Sequence, residues 1–208
     1  MIKILFEGLH EDHFNGDSYV IDPLTSSSIL IRTGKHNILV DTGAFYHRQK
    51  LLDGLSEEGL RPEDIHCILN THYHLDHTTN NFLFPNAYVG VGPNMLSHKT
   101  GEGHIYSASR KKNPYFPEEI EDLPTPGHSE PHHSYVYRED GVTYIMAGDA
   151  VSAHRFREGV LQAPDPKAFK ESALKIFEIA DVIIPGHNEV IRGDEVKELH
   201  EIVKNLKC

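Results

Sequence analysis

The apolar positions of this chain fall into short runs of two kinds. Ile2 to Phe6 is a short β-rich run, and the first forty residues read as strands. Ser28 to Ile31 and Ile38 to Val40 flank Gly34, with Lys35 to Asn37 completing a polar connection, which is the pattern of a hairpin. Residues 45–58 are mixed and polar enough for a surface helix, and Pro62, Glu63 and Asp64 suit a brief helical start. Ile65 to Leu69 predicts a buried strand, and Asn86 to Val91 predicts another after Pro85. A second hairpin pattern joins Tyr135 to Tyr137 and Val142 to Met146 across Glu139-Asp140-Gly141.

The helical period takes over further on. Asp165-Pro166 supplies a capping side chain and a proline at the first helical position. It opens a helix to about Ala180, with Phe169, Ala173, Ile176, Phe177 and Ala180 on one face. Val182 to Ile184 reads as a short buried strand. Asp194 to Leu206 reads as an amphipathic helix with Val196, Leu199, Val203 and Leu206 along its stripe. Residues 97–117 stand apart: polar, broken by Gly101, Gly103, Pro114 and Pro117, and without period, they predict a long loop. Each half of the chain therefore mixes sheet and helix, with no linker between them and no repeat. The expected class is α/β: one domain, 1–208, of two mixed sheets packed face to face with helices outside.

Composition narrows this only a little. The 208 residues are 38% hydrophobic and 25% charged, ordinary for a domain with a core. The formal net charge of −11 argues against a chain coated by nucleic acid or bound to anionic membrane, but leaves a local basic groove open. Two cysteines make no disulfide framework; Cys67 sits in a strand run and is expected to be buried, and Cys208 is expected to fray. The N-terminus lacks the features of a signal peptide and no apolar stretch is long enough for a bilayer, so no membrane is expected and a cytoplasmic location follows by default. The abnormal number is histidine, at 16 residues, scattered rather than in a terminal run.

Their clustering carries the chemistry. Asn70-Thr71-His72-Tyr73-His74-Leu75-Asp76-His77 follows the strand at Ile65 to Leu69. In continued extended geometry His72 and His74 share a side, and Asp76 and His77 follow where the chain turns. Pro124-Thr125-Pro126-Gly127-His128 ends in a histidine on a rigid turn. Ala147-Gly148-Asp149 places a carboxylate at a strand end, and Ile183-Ile184-Pro185-Gly186-His187 repeats the strand, Pro-Gly, histidine order. Five imidazoles and two carboxylates exceed the four donors of a closed structural zinc and suit two ions with open positions and Asp149 shared. The nitrogen and oxygen donors suit zinc, and leave iron, manganese and cobalt open.

H-x-H-x-D-H, T-P-G-H, G-D and P-G-H in this order resemble the metallo-β-lactamase superfamily of hydrolases, and Asp41-Thr42-Gly43 resembles that family's early D-T-G. The resemblance spans Asp41 to His187. It implies the four-layered αβ/βα sandwich with metals at one edge between the sheets. It implies His72, His74 and His128 for one ion, Asp76, His77 and His187 for the other, Asp149 bridging, and Asp41 supporting the site from behind. His74, where the flavodiiron branch has glutamate, points away from redox chemistry. A hydroxide shared by the ions would attack an ester, thioester or lactone, with Asp76 also orienting it and passing on a proton. The chain is expected to differ from glyoxalase II, which carries a C-terminal helical domain, and from the family's large RNA-processing nucleases, which carry a large inserted domain. It resembles the small single-domain members, one of which is linked to RNA.

Three functions are therefore set against each other: a hydrolase of small esters, thioesters or lactones, anionic ones included; a phosphodiesterase or ribonuclease; and a metal-binding module without turnover. The complete donor set speaks against the third and the net charge mildly against the second. Oligomeric state is left open. Arg110-Lys111-Lys112, near Tyr106, Tyr115 and Phe116, is expected either to form a lid gripping an anion or to be a solvated run. His132 and His133, close after His128, are read as surface histidines with a place lining the pocket as the alternative, and His10, His13, His47, His98, His104 and His154 carry no assignment.

Overall fold

The computed structural model describes residues 1–14, 16–105 and 113–207. The first half runs β1 (Ile2–Phe6), β2 (Leu9–Phe14), β3 (Tyr19–Thr25), β4 (Ser28–Arg32), β5 (Asn37–Val40), α1 (Arg48–Glu57), β6 (Cys67–Asn70), α2 (Leu75–Thr78), β7 (Tyr88–Val91), β8 (Asn94–Ser97) and β9 (Gly103–His104). The second runs β10 (Ile120–Pro124), β11 (His133–Glu139), β12 (Val142–Gly148), α3 (Ala153–Arg157), α4 (Pro166–Ile179), β13 (Val182–Pro185), β14 (Ile191–Arg192) and α5 (Asp194–Asn205). Single 3₁₀ turns precede α1 and occupy Pro62–Asp64 and Asn81–Leu83.

Two mixed sheets result, ordered β1-β4-β5-β6-β7-β8-β9 and β10-β11-β12-β13-β14, with β2 and β3 forming a separate ribbon. Successive side chains in a strand face opposite ways, so a strand buried on both faces is apolar throughout. Ile29, Ile31, Ile38, Val40, Cys67 and Leu69 point inward and meet Tyr135, Tyr137, Met146 and Ile184 of the other sheet. Their neighbours Leu30, Leu39 and Ile68 point outward onto Leu51 and Leu55 of α1. In the second sheet Val136, Ile145 and Ile183 face outward onto Phe169, Ala173 and Ile176 of α4 and Leu199 and Val203 of α5. The order is helix, sheet, sheet, helix, as the apolar runs predict. At about 1.5–3 kcal/mol for each fully buried large aliphatic side chain, these three layers are the main favourable term.

The expected hairpins are β4-β5 and β11-β12, both antiparallel. The helix predicted after Asp165 is α4, whose first turn is capped as expected, Asp165 accepting from the Ala168 amide at 3.0 Å. Cys67 is buried in β6; Cys208 lies outside the described residues. Residues 97–117 are not the structureless loop expected. Ser97 ends β8, Gly103 and His104 pair with it as β9, and Tyr115 stacks on Tyr88 with ring centroids 4.3 Å apart. Tyr106 and Arg110-Lys111-Lys112 lie outside the described residues.

β5 and β6 run parallel, as do β12 and β13. Parallel pairing brings the ends that follow Val40, Asn70, Gly148 and Pro185 to corresponding edges of the two sheets. The Tyr135 hydroxyl ties those edges together: wholly buried, it donates to the Asn70 carbonyl at 2.7 Å and accepts the Gly92 amide at 3.0 Å. Among the described residues no helix is long and apolar enough to cross a membrane. Replacing Tyr135 by phenylalanine, which strands a buried carbonyl and amide, is expected to lower the stability of the metal-free protein by about 1–3 kcal/mol in urea titrations.

Candidate metal centre

The two edges bring together all seven side chains singled out from the sequence. They form two groups, His72, His74, His128 and Asp149, and Asp76, His77 and His187, each with its donor atoms within 4.8 Å of one another. A tetrahedral ion with donors at 2.0–2.1 Å holds those donors about 3.3–3.4 Å apart. The observed spacings bracket that edge. His128 Nε2 lies 3.3 Å from Asp149 Oδ2 and 3.1 Å from His74 Nδ1, and His72 Nε2 lies 4.0 Å from Asp149 Oδ2. In the other group His77 Nε2 and His187 Nε2 each lie 3.4 Å from Asp76 Oδ2. Asp149 reaches this group as well, Oδ1 at 3.3 Å from His77 Nε2 and Oδ2 at 3.4 Å from His187 Nε2.

Apart from the His128–His74 contact, close approach leaves key donor atoms without hydrogen bonds. His72 Nε2, His77 Nε2 and Asp149 Oδ1 are buried without a hydrogen-bond partner. Such orphaned atoms are expensive unless something else satisfies them. Lone pairs converging on common points, at the separations of a coordination edge, fit divalent ions.

The other ring nitrogens are fixed by the fold. His77 Nδ1 lies 2.8 Å from Asp41 Oδ2, His187 Nδ1 donates to the Thr25 carbonyl at 3.0 Å, and His72 Nδ1 meets Thr71 Oγ1 at 3.0 Å. Each imidazole thereby presents Nε2 inward. Asp41 anchors the web. It accepts the Thr71 amide and the Thr71 hydroxyl, both at 2.8 Å, besides holding His77. Its φ of 52° lies in the left-handed region, which aspartate tolerates better than most residues. Gly186 is required by contact: a Cβ there would lie 2.0 Å from Asp149 Oδ1.

Electrostatics agree with a site built for cations. Burial alone would favour the protonated form of Asp149, but His187 and His77 beside it hold the carboxyl well below its ordinary value. Burial alone would strip the proton from His77, yet Asp149 and Asp41 hold it well above the usual imidazole value; Asp149 also raises His187 against the effect of burial. His72 and His128 are pushed down, chiefly by burial, into the neutral form that ligates.

Two histidines differ from expectation. His132 is not at the surface: it is 1% exposed, stacks on His72 with centroids 4.9 Å apart, bonds Thr125 Oγ1 at 2.9 Å and accepts the Asp149 amide at 3.2 Å. Burial pushes it down to about 3. Its place in β10-β11 pairing geometry, opposite Thr125, is set by the fold and has no local sequence signal. His133 is half-buried on Asp122, Nδ1 to Oδ1 2.6 Å. His10, unassigned from the sequence, lies edge-on to His187, centroids 5.2 Å apart. The middle of its strand, polar on both faces, gave no period to read.

His74, His128, Asp149 and His187 floor a cleft of about 710 Å³, with the β2-β3 ribbon on one side and α3, α4 and the segment joining them on the other. Residues 21–187 match the family model of the metallo-beta-lactamase superfamily. The chain belongs to this superfamily. Among its relatives is metallo-beta-lactamase domain-containing protein 1 of Xenopus laevis, 31% identical over 92% of this chain and 81% of that protein. A protein described as a probable metallo-hydrolase of Methanocaldococcus jannaschii is 32% identical over 94% of this chain and 91% of its own length. An atrochrysone carboxyl ACP thioesterase of Aspergillus fumigatus is more distant, at 28% over 85% of this chain and 55% of that protein. A solved structure of a presumptive metallo-beta-lactamase from Thermotoga maritima superposes with a TM-score of 0.65 over 92% of this chain and 98% of that one; at 19% identity it speaks for the fold. Members of the superfamily are mostly hydrolases, and two of these relatives are named for such an activity, a metallo-hydrolase and a thioesterase. Asp41→Asn, which keeps a side chain tolerant of positive φ but weakens the grip on His77, is expected to lower metal affinity about 10–100-fold in chelator competition, with unchanged circular dichroism.

Proposed function

We infer that this chain is a binuclear metal-dependent hydrolase of a small ester, thioester or lactone. The observation that carries the reading is the shared carboxylate: Asp149 stands within 3.3–3.4 Å of nitrogens from both donor groups. His72, His74 and His128 would hold one ion, Asp76, His77 and His187 the other, with Asp149 between them; zinc suits the donors best. Two such ions would supply a water acidified towards neutrality and polarise the scissile carbonyl.

The chain's own residues do the rest. Asp41 and the Thr25 carbonyl fix the tautomers of His77 and His187. His132 holds the backbone of Asp149 in place through its amide. Asp76, 14% exposed and 3.4 Å from the Nε2 atoms of His77 and His187, orients the nucleophile and relays its proton towards the leaving group. The cleft's volume falls within the range of small-molecule sites.

The cleft's charge favours an ester over a phosphodiester. Among the described residues lining it, Arg155 is the one Lys or Arg, and its guanidinium is paired with Asp12 at 2.8 Å and Glu158 at 3.2 Å. A polyanion would find little uncompensated positive charge there. The natively purified protein is expected to carry about two zinc ions per chain by elemental analysis, and His187→Ala about one. A panel of thioesters, lactones, nitrophenyl esters and bis-nitrophenyl phosphate is expected to give turnover on the acyl compounds, lost on chelation and restored by zinc. Turnover on the phosphodiester alone would establish the nuclease reading instead.

A further inference from the structure

The two walls of the cleft differ in kind. On the side of α3, α4 and the segment between them stand Val151, Leu161, Ala163, Pro164 and Phe169, with Ser152, His154, Arg155 and Gln162 among them; Val151 and Phe169 are each 2% exposed and back the surface that Leu161, Ala163 and Pro164 offer. This wall is held by its ends, the Val160 amide donating to the Arg155 carbonyl at 2.9 Å and the Asp165 amide to the Gly127 carbonyl at 3.1 Å. The second bond places it against His128. Gly127 packs so tightly on α4 that a Cβ there would lie 2.2 Å from the Phe169 nitrogen. Leu161 and Ala163 remain partly exposed to the cleft while packing on the helical layer.

The ribbon wall is polar. It brings His10, edge-on to His187, and Asp12, which pairs with Arg155 of α3; Ile21 is its one apolar side chain among the described residues lining the cleft. It is tied to the His187 side by the Asn188 amide, which donates to the Gly8 carbonyl at 2.9 Å. Asp76, the nearest carboxylate not shared between the groups, lies on that side too, 3.4 Å from His187.

An ester splits into two halves with opposite needs. The departing alkoxide or thiolate gains charge and takes up a proton, which a polar wall can stabilise and supply. The acyl half gains neither once the carbonyl is past. We propose that the Val151, Leu161, Ala163, Pro164 and Phe169 wall seats the acyl half of the substrate, so that this enzyme selects medium-length aliphatic or aryl acyl groups and is indifferent to apolar bulk in the leaving group. The proposal rests on the ester-hydrolase reading and deepens it.

The test uses the zinc-loaded full chain and two series of thioesters. In one the thiol is constant and the acyl group lengthens from acetyl to octanoyl; in the other the acyl group is acetyl and the alkanethiol lengthens. kcat/KM is expected to rise about two- to fourfold per methylene along the first series and to stay flat along the second. Leu161→Ser is expected to flatten the acyl series, lowering the octanoyl-to-acetyl ratio of kcat/KM about tenfold. A rise along the thiol series, or along neither, overturns the proposal. Should no thioester turn over at all, the hydrolase reading fails, and the seat is judged by calorimetry alone. Octanoate binding about tenfold more tightly than acetate, with the advantage lost in Leu161→Ser, supports it; equal affinities overturn it.

Discussion

Buried negative charge is the constraint around which this molecule is arranged. Asp41, Asp76 and Asp149 lie within one cluster of side chains, and the ion-pair partners found for them are all histidines. Carboxylates taken out of water must be paired, neutralised or ligated to metal. The imidazoles do this in part by holding protons on His77 and His187, drawn there by Asp149. Divalent ions would do it fully, releasing those protons as they bind. The close glycine at 186, the strained backbone of Asp41 and the orphaned nitrogens of His72 and His77 are local expressions of the same requirement.

The sandwich exists to bring that charge together from distant parts of the chain. The motif from His72 to His77 leaves the end of β6, while Asp149 leaves β12 and His187 follows β13. None of these strands could position a donor to a fraction of an ångström alone. Apolar residues on both faces of β5, β6, β12 and β13 fix each sheet between its partner and its helices. The parallel pairings then deliver the strand ends to one edge.

Where local pattern sufficed, the sequence told the story in advance. The doubly buried strands have no polar positions to confuse, the capped helix at Asp165 announces itself, and every donor follows a strand run by a turn. What stayed hidden depends on neighbours remote in sequence. The middle of β2 is polar on both faces, so Leu9 to Asp12 gave no alternation, and His10 went unassigned although it lies against His187. His132 looks like a surface histidine beside Pro131 and His133, and only the pairing of β10 with β11 buries it under Asp149. The short strands on either side of Glu102 were lost among glycines and polar residues, since two-residue pairings carry no period.

The donor groups draw on both halves of the chain, His72, His74, Asp76 and His77 from the first and His128, Asp149 and His187 from the second. An ion held between His74 and His128 would thus be a cross-link as much as a reagent. It would close a long stretch of polypeptide much as a disulfide does, in a chain whose one described cysteine is sealed in β6. Loading would then tighten the seam between the sheets more than either sheet by itself, making the same atoms responsible for chemistry and for keeping the two halves registered.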